Sequence, residues 1–517
     1  MKNSKIVKLT AGLFLVTILS KIMGFLREMV LVGIYGADIV SDVYITTMNI
    51  PTVIFSIIGA ALSTTFIPLF FEIEKNDGPE RALKFSNNIF NIVIALSLIL
   101  SIFCYIFAEP IVKIFAIEFT GYKLVLAIQF TKIIGFSMIF IGISSIMSCW
   151  LNIKGNFNIP GLVGLPYNII IIISIILSIN INILVLPIGL LLATLSQFLF
   201  QVPFAYKEGY RYKSYINFKD KYLKKLIYLI LPVIIGVGVG QINTVVDRSL
   251  ASTLGDGFIT ILNSANRLND FVQGLFIVTI TTVMYPLLSN LSSIGKDEEF
   301  KDNIKKCINM LIILIIPVSI GAIILSEPVV KVVFERGKFD SVATKMTSIA
   351  LSYYSIGMIG LALKSMLDKV FYSLKDTKTP MINGALAMGI NILLNLTLIN
   401  FMGYKGLALA TSISFIICVI LLFRKLKYKI GYFGQDEIIK TLVKCTIASG
   451  LMGIVVYFMY KFIELNFHLN KIQEAISLFT FIFIGALIYA LSIKFMKIEE
   501  VDILIEIFKS KLKKFKI

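Results

Sequence analysis

Charged side chains are scarce in this chain, and several interrupt stretches that are otherwise apolar. Lys21, Arg27 and Glu28 fall in the stretch 8–34, and Asp42 opens the next. Asp247 and Arg248 close the stretch 226–251, Arg267 and Asp270 lie in 259–289, Lys132 in 124–151, and Lys364, Asp368 and Lys369 in 344–372. A charge at the centre of a membrane helix costs at least about 2.5–3.5 kcal/mol, so such residues face a partner or a water-filled cavity. Snorkelling to the interface is the alternative for Lys132, Arg248, Lys369 and Asp42. Lys21, Arg27 and Arg267, with Lys364 as a fourth cation, would suit an anionic substrate, because guanidinium groups match phosphate oxygens in a bidentate fork. A pyrophosphate headgroup is the natural ligand. Glu28 and Asp42 could hold the arginines, or release them, as a cavity opens and closes.

A second set is rich in oxygen. Asp247, Asn391, Asn395 and Thr411 supply carboxylate, amide and hydroxyl oxygens, and a backbone carbonyl such as that of Leu407 would complete a site for a hard cation such as Na+. Asn391 and Asn395 are four apart and share a helix face. The same residues equally suit hydrogen bonds that tie membrane helices together. Enzymatic motifs are missing: there is no Walker loop, no GxSxG and no HExxH, and the one histidine is His468 in a loop. Cys104, Cys149, Cys307, Cys418 and Cys445 include no CxxC pair, which argues against zinc and disulfides. No cofactor is required. Transport, rather than catalysis, would draw on an ion gradient, the membrane potential or consumption of product.

The elements that must position these residues are membrane helices. Of 517 residues 57% are hydrophobic and only 15% charged, where a soluble domain carries roughly a quarter. Mean hydropathy is +0.88. Apolar runs of about 20 residues, the length that crosses the hydrocarbon, recur along the chain. They predict spans at 8–34, 43–71, 86–108, 124–151, 161–182, 184–206, 226–251, 259–289, 304–326, 344–372, 380–401, 405–423, 439–460 and 474–496, an all-α polytopic protein of about fourteen helices. Pro51 and Pro232 predict kinks.

Lys and Arg cluster before the first span and in alternate connections, from Lys75, Arg81 and Lys84 through Lys207–Lys225 to the tail containing KSKLKKFK. The intervening connections GADIVS, INI and TLGDG carry none, and only the loop with Lys331, Arg336 and Lys338 dissents. The positive-inside rule then places both termini in the cytoplasm. The formal charge of +18 is therefore directed to anionic lipid headgroups and not to nucleic acid.

Two motifs recur at one offset. FIPL and EPIVKIF in the first half match MYPL and EPVVKVVF in the second, and Pro68 to Pro286 and Glu109 to Glu327 are both 218 residues. Residues 1–215 and 222–430 are then two six-helix repeats of the same orientation, with a substrate cavity expected at their interface, and 431–517 adds two helices and a basic tail.

Several stretches carry a resemblance: SKIMGFLREMVLVGIYGADIVSDVY (20–44), ALSTTFIPLF (61–70), LNIKGNFNIPGLVGLPYNI (151–169), NSANRLNDF (263–271), FYSLKDTKTP (371–380) and NILLNLTLINFMGYKGLALATSIS (391–414). They resemble the MurJ (MviN) lipid II flippases of bacteria, within the multidrug/oligosaccharidyl-lipid/polysaccharide exporter superfamily, over nearly the whole chain. The resemblance implies movement of undecaprenyl-pyrophosphate-linked peptidoglycan precursor from the inner to the outer leaflet of the cytoplasmic membrane. It also implies that Arg27, Lys21, Glu28, Asp42 and Arg267 stand at the family's cavity charges, and that Asp247, Asn391, Asn395, Leu407 and Thr411 fall where some members can hold sodium. Asn395 replaces a second carboxylate found there. The last two helices would form a groove for the lipid tail. One segment departs: PTVIFSIIGAAL (51–62) is uncharged where the family typically has Asn, one or two Arg and Ala-Glu-Gly. That departure keeps a flippase for another undecaprenyl-linked glycan in view. A cation-coupled drug exporter on the same scaffold and a non-transporting scaffold for envelope assembly are the further alternatives.

Overall fold

A computed structural model describes the backbone of residues 2–498 and 500–501. Side chains are described for the same residues except 2–17, 61, 232, 235, 236, 239, 275, 276, 278, 279, 282 and 283. KSKLKKFK (509–516), the side chains of Lys2, Lys5 and Lys8, and the kink expected from the Pro232 ring lie outside the described residues.

All described elements are helices, and they pack into two compact units. The first unit, Met1–Thr260 with Arg336–Phe339, holds α1 (Lys2–Tyr35), α2 (Ile39–Asp77), α3 (Pro79–Ile106), α4 (Ala108–Phe115), α5 (Gly121–Ile134), α6 (Ser137–Ile153), α7 (Asn158–Leu162), α8 (Gly164–Ser178), α9 (Val185–Lys207) and α10 (Lys221–Ser252). Helix α11 (Phe258–Ser293) begins in this unit and continues into the second. The second unit, Ile261–Glu335 with Asp340–Ile517, holds α12 (Asp297–Ile324), α13 (Ser326–Phe334), α14 (Ser341–Ile356), α15 (Met358–Ser373), α16 (Lys378–Met402), α17 (Tyr404–Ile430), α18 (Gln435–Asn466) and α19 (Lys471–Phe495).

Among the described residues nine helices are long and apolar enough to cross a membrane, or eleven if α5 with α6 and α14 with α15 are each one bent span. Helices α1, α10 and α11, of 34, 32 and 36 residues, would bring that number to fourteen. The expected spans 124–151 and 344–372 are thus broken in mid-course, by 41° and 42°. The breaks fall at glycines, Gly135 and Gly357, where a kink needs no proline. Carbonyls freed there are taken up by neighbours: Ser101 Oγ donates to Gly135 O at 2.9 Å, and Ser412 Oγ to Tyr353 O at 2.6 Å.

The two EP-x-V-K segments share local backbone structure. Each EP-x-V-K motif forms a short helix, α4 or α13, after a matching turn in which Phe107 N–H donates to Phe103 O and Leu325 N–H to Gly321 O. The next helices are N-capped at Thr120 and Asp340, so the offset has grown from 218 to 220. It then holds: α6 ends at Ile153 and α15 at Ser373. The turn that follows is the same in both, with Asn156 N–H bonded to Leu151 O and Asp376 N–H to Phe371 O, each at 2.9 Å. This turn needs a left-handed residue, which is Gly155 in the first unit and Lys375, at φ 58°, in the second.

The first core is aromatic: Phe66 stacks on Phe85 at 5.8 Å, and Phe70 meets Trp150 edge-on at 5.6 Å. Three buried asparagines of α3, Asn87, Asn88 and Asn91, bond the backbone of the connection between α9 and α10 at Arg211, Lys213 and Asn217, replacing the ladder that irregular chain lacks. In the second unit α18 and α19 pack on α12, where the buried Tyr489 hydroxyl donates to Ile313 O at 2.7 Å. Their other faces expose Leu451, Ile454, Phe458, Phe479, Phe483 and Leu487, an apolar surface suited to lipid.

Candidate functional site

Within the first unit Arg27 is held by α8. Its Nη1 donates to Asn168 Oδ1 at 3.2 Å and its guanidinium lies 5.9 Å from the Tyr167 ring centroid. Asn168 is itself fixed, with Nδ2 donating to Gly164 O at 2.7 Å. Glu28 is nearly inaccessible, and its carboxylate is 3.9 Å from Arg27 Nη2. Arg27 keeps 12% of its side chain accessible while Asn168 braces its Nη1. Tyr167 and Asn168 were not picked out among the charges, yet the polar pair inside the apolar run PYNI (166–169) marked them. Lys21, two turns earlier, is exposed.

Asp42 was expected beside the arginines and instead sits elsewhere, fully buried. Its Oδ2 accepts from Lys123 Nζ at 2.9 Å and Gly257 N–H at 2.7 Å, and its Oδ1 accepts from Thr260 N–H at 2.9 Å and Thr260 Oγ1 at 2.7 Å. Lys123 also meets Asp256 at 2.8 Å. The cluster ties the start of α2 to the start of α5 and to the α10–α11 turn, and its carboxylate has no oxygen left for a ligand. In the same unit Arg248 Nη1 donates to Ile45 O of α2 at 3.0 Å. Lys132 lies 5.3 Å from the Tyr105 ring.

Part of the dissenting loop packs in the same unit. Residues Arg336–Phe339 lie against α1, with Lys338 N–H donating to Gly33 O at 2.9 Å. A Cβ on Gly337, whose φ is +58°, would come within 2.0 Å of Gly33 O, so glycine is required for this approach.

In the second unit Arg267 projects from α11 with Nε buried and making no hydrogen bond among the described residues. A buried donor left unspent costs about 1–3 kcal/mol, which a ligand oxygen would recover. Lys364 Nζ bonds Asp368 Oδ2 at 2.7 Å, one turn away on α15. The pair is part-buried, and placing two charges in a membrane helix carries an insertion cost.

Four of the five cation-site candidates come together in the second unit as a chain of bonds between α16 and α17. Asn395 Nδ2 donates to Asn391 Oδ1 (3.0 Å), Asn391 Nδ2 to Thr411 Oγ1 (3.5 Å), and Thr411 Oγ1 to Leu407 O (3.1 Å). Asp247 belongs to the first unit, where Asn243 Nδ2 approaches it at 3.2 Å. Within the second unit Asn391, Asn395, Leu407 and Thr411 offer only neutral oxygens, of the kind a hard cation takes. Among the described residues no group of three His, Cys, Asp or Glu could hold a metal.

Comparison with known proteins agrees with this architecture. The family model "Lipid II flippase MurJ" matches residues 31–478. A probable lipid II flippase MurJ of Vibrio cholerae is 29% identical over 449 residues, 84% of this chain and 86% of that one. That of Borreliella burgdorferi is 29% identical over 465 residues, 89% and 91%. A solved lipid II flippase MurJ in an inward closed conformation superposes with TM-score 0.81 at 28% identity, covering 94% of this chain and 98% of that one. An inward-facing multidrug resistance MATE transporter of the MOP superfamily, at 15% identity and TM-score 0.67, covers 80% and 96% and shares the fold alone. With residues 31–478 matched by the family model, the chain belongs to the lipid II flippase MurJ family.

Proposed function

We propose that this protein carries lipid II, the undecaprenyl-pyrophosphate-linked peptidoglycan precursor, from the inner to the outer leaflet of the bacterial cytoplasmic membrane. Arg27 is the observation that carries the reading: a guanidinium in the apolar first helix, braced by Asn168 and Tyr167 and partly accessible, is a donor fork prepared for a phosphate. Arg267, with its unspent N–H, supplies a second cation, and Lys21 and Lys364 add to the field. Glu28, 3.9 Å from Arg27 Nη2, supplies the neighbouring carboxylate.

The repeats 1–215 and 222–430 would rock against each other to alternate access, while α18 and α19, in 431–517, present apolar surface to the lipid tail. Both termini would be cytoplasmic, with the basic tail on anionic lipid. No covalent step is needed. A sodium ion taken by Asp247 with the oxygens of Asn391, Asn395, Leu407 and Thr411 would couple the cycle to an ion gradient, and the membrane potential is the other available drive.

The uncharged segment 51–62 is the one departure that raises a second reading, a flippase for another undecaprenyl-linked glycan. Expression in cells depleted of their own lipid II flippase, beside cells lacking a polysaccharide flippase, separates the two. Rescue of peptidoglycan synthesis alone is expected; rescue of polysaccharide export alone would replace this reading with the second.

A further inference from the structure

A partly exposed polar stripe runs down α15. Lys364, Ser365, Asp368, Lys369 and Tyr372 lie on it, while Leu363, Met366, Leu367 and Val370 are buried on the other side. The exposed face of α16 in the same unit is apolar, with Met381, Ile382, Leu386, Leu393 and Leu396. Two lysines and an aspartate on an accessible face of a membrane helix need water or a polar ligand beside them. Lys364 Nζ is 2.7 Å from Asp368 Oδ2, and Asp368 Oδ1 is buried with no hydrogen bond among the described residues. Lys369 Nζ lies 5.4 Å from the ring of Tyr285 in α11 and 5.6 Å from that of Tyr372.

The other half of the duplication shows what the fold itself asks of these positions. At the offset of 220, Ser144 and Ser148 of α6 stand where Lys364 and Asp368 stand in α15. Both serines bond Gln201 of α9: Gln201 Nε2 donates to Ser144 Oγ at 2.7 Å, and Ser148 Oγ donates to Gln201 Oε1 at 2.8 Å. Neutral groups there fasten two helices. Lys364 and Asp368 bond each other along one helix and, among the described residues, no other side chain, so they fasten nothing. Charges that persist in a membrane helix without a packing role are kept for a ligand.

We infer that Lys364 and Lys369 form an anion-binding position in the second unit for the oxygens of a phosphate or pyrophosphate group, with Asp368 as the resident counter-ion that the ligand displaces from Lys364. Between loadings Asp368 neutralises the ammonium; when the anion arrives, Lys364 Nζ turns from carboxylate to phosphate oxygen. The freed carboxylate then repels the anion and speeds its release. That the anion arrives on a polyprenyl lipid rests on the flippase reading above; the position itself does not.

Binding to the purified full-length protein tests this with three probes: inorganic pyrophosphate, a polyprenyl pyrophosphate and the matching polyprenol. Lys364→Gln should weaken binding of both pyrophosphates roughly tenfold, the loss of one charge-assisted hydrogen bond. Lys364→Arg should retain binding, which separates charge from packing. Asp368→Asn, which is isosteric, should tighten binding several-fold and slow release. The polyprenol should be indifferent to all three. Unchanged pyrophosphate affinity in Lys364→Gln, or unchanged or weaker affinity in Asp368→Asn, would overturn the inference. Should inorganic pyrophosphate bind through Lys364 while the polyprenyl pyrophosphate does not, the position stands and the flippase reading falls. Should the polyprenyl pyrophosphate bind equally to Lys364→Gln, the reading stands and the position falls.

Discussion

Replacing Asp42 by Asn keeps the shape of a buried side chain and removes its charge, and the surrounding geometry fixes the cost. An amide can still accept from Thr260 N–H and Oγ1 through Oδ1. Its NH2 group, however, would face two donors, Lys123 Nζ and Gly257 N–H, which now sit 2.9 and 2.7 Å from Oδ2. Each lost charge-assisted bond costs about 1.5–3 kcal/mol, and breaking one partner of a buried ion pair about 3–5 kcal/mol. Lys123 is not stranded completely, since Asp256, with 56% of its side chain accessible, and the Phe119 ring at 4.5 Å remain. The lower end, about 3 kcal/mol, is therefore expected. Lys123→Met on its own strands Asp42. The double variant removes both charges, so its loss should fall short of the sum of the two single losses by at least about 1.5 kcal/mol. Denaturant unfolding of the purified protein in detergent, run as a double-mutant cycle, reads this coupling. Additive losses, or an Asp42→Asn variant within about 0.5 kcal/mol of the parent, would refute the assignment of Asp42 to a structural cluster.

Other expectations follow from the same geometry. Gly337→Ala should push Arg336–Phe339 off α1, because the new Cβ would lie 2.0 Å from Gly33 O; amide exchange at Lys338, now protected by Gly33 O at 2.9 Å, should accelerate, and unaltered exchange would contradict the contact. Asn168→Leu should abolish flippase rescue at normal protein levels by leaving Arg27 unbraced, whereas Asn168→Asp keeps an acceptor and retains part of it; equal rescue by both would remove Asn168 from the site. Asp376, between α15 and α16, has its carboxyl held at about 2: burial opposes ionisation, but Lys429 at 2.6 Å and the Thr379 bonds outweigh it. Since that lies below the ordinary 3.8, the unfolded chain binds more protons. The stabilisation is full above about pH 4 and is lost as pH falls towards 2. Asp376→Asn should therefore flatten the acid side of the stability profile, by roughly 1–2 kcal/mol; an unchanged profile would count against the pair.

Much of the fold was legible because lipid imposes a simple rule on sequence, an apolar run of fixed length between charged ends. Two motifs suggested a duplication, whereas the bends at Gly135 and Gly357 had no signal, since a glycine in an apolar run does not announce a break. The site was half visible. Arg27 and Arg267 stood out by charge, whereas Asn168 is neutral and lies 141 residues from Arg27. Asp42 was assigned by type to the arginines because its partner, Lys123, is 81 residues away and reads as an ordinary interfacial lysine. Long-range pairing of this kind is set by packing, which no local pattern encodes.

The most direct test of the central claim is the appearance of lipid II on the outer leaflet of cells depleted of their own flippase, read by a membrane-impermeant enzyme that degrades it. The unmodified chain should expose lipid II to that enzyme, and Arg27→Ala and Arg267→Ala, present at equal levels, should not. No exposure with the unmodified chain correctly inserted, or full exposure with both arginines removed, would contradict the account.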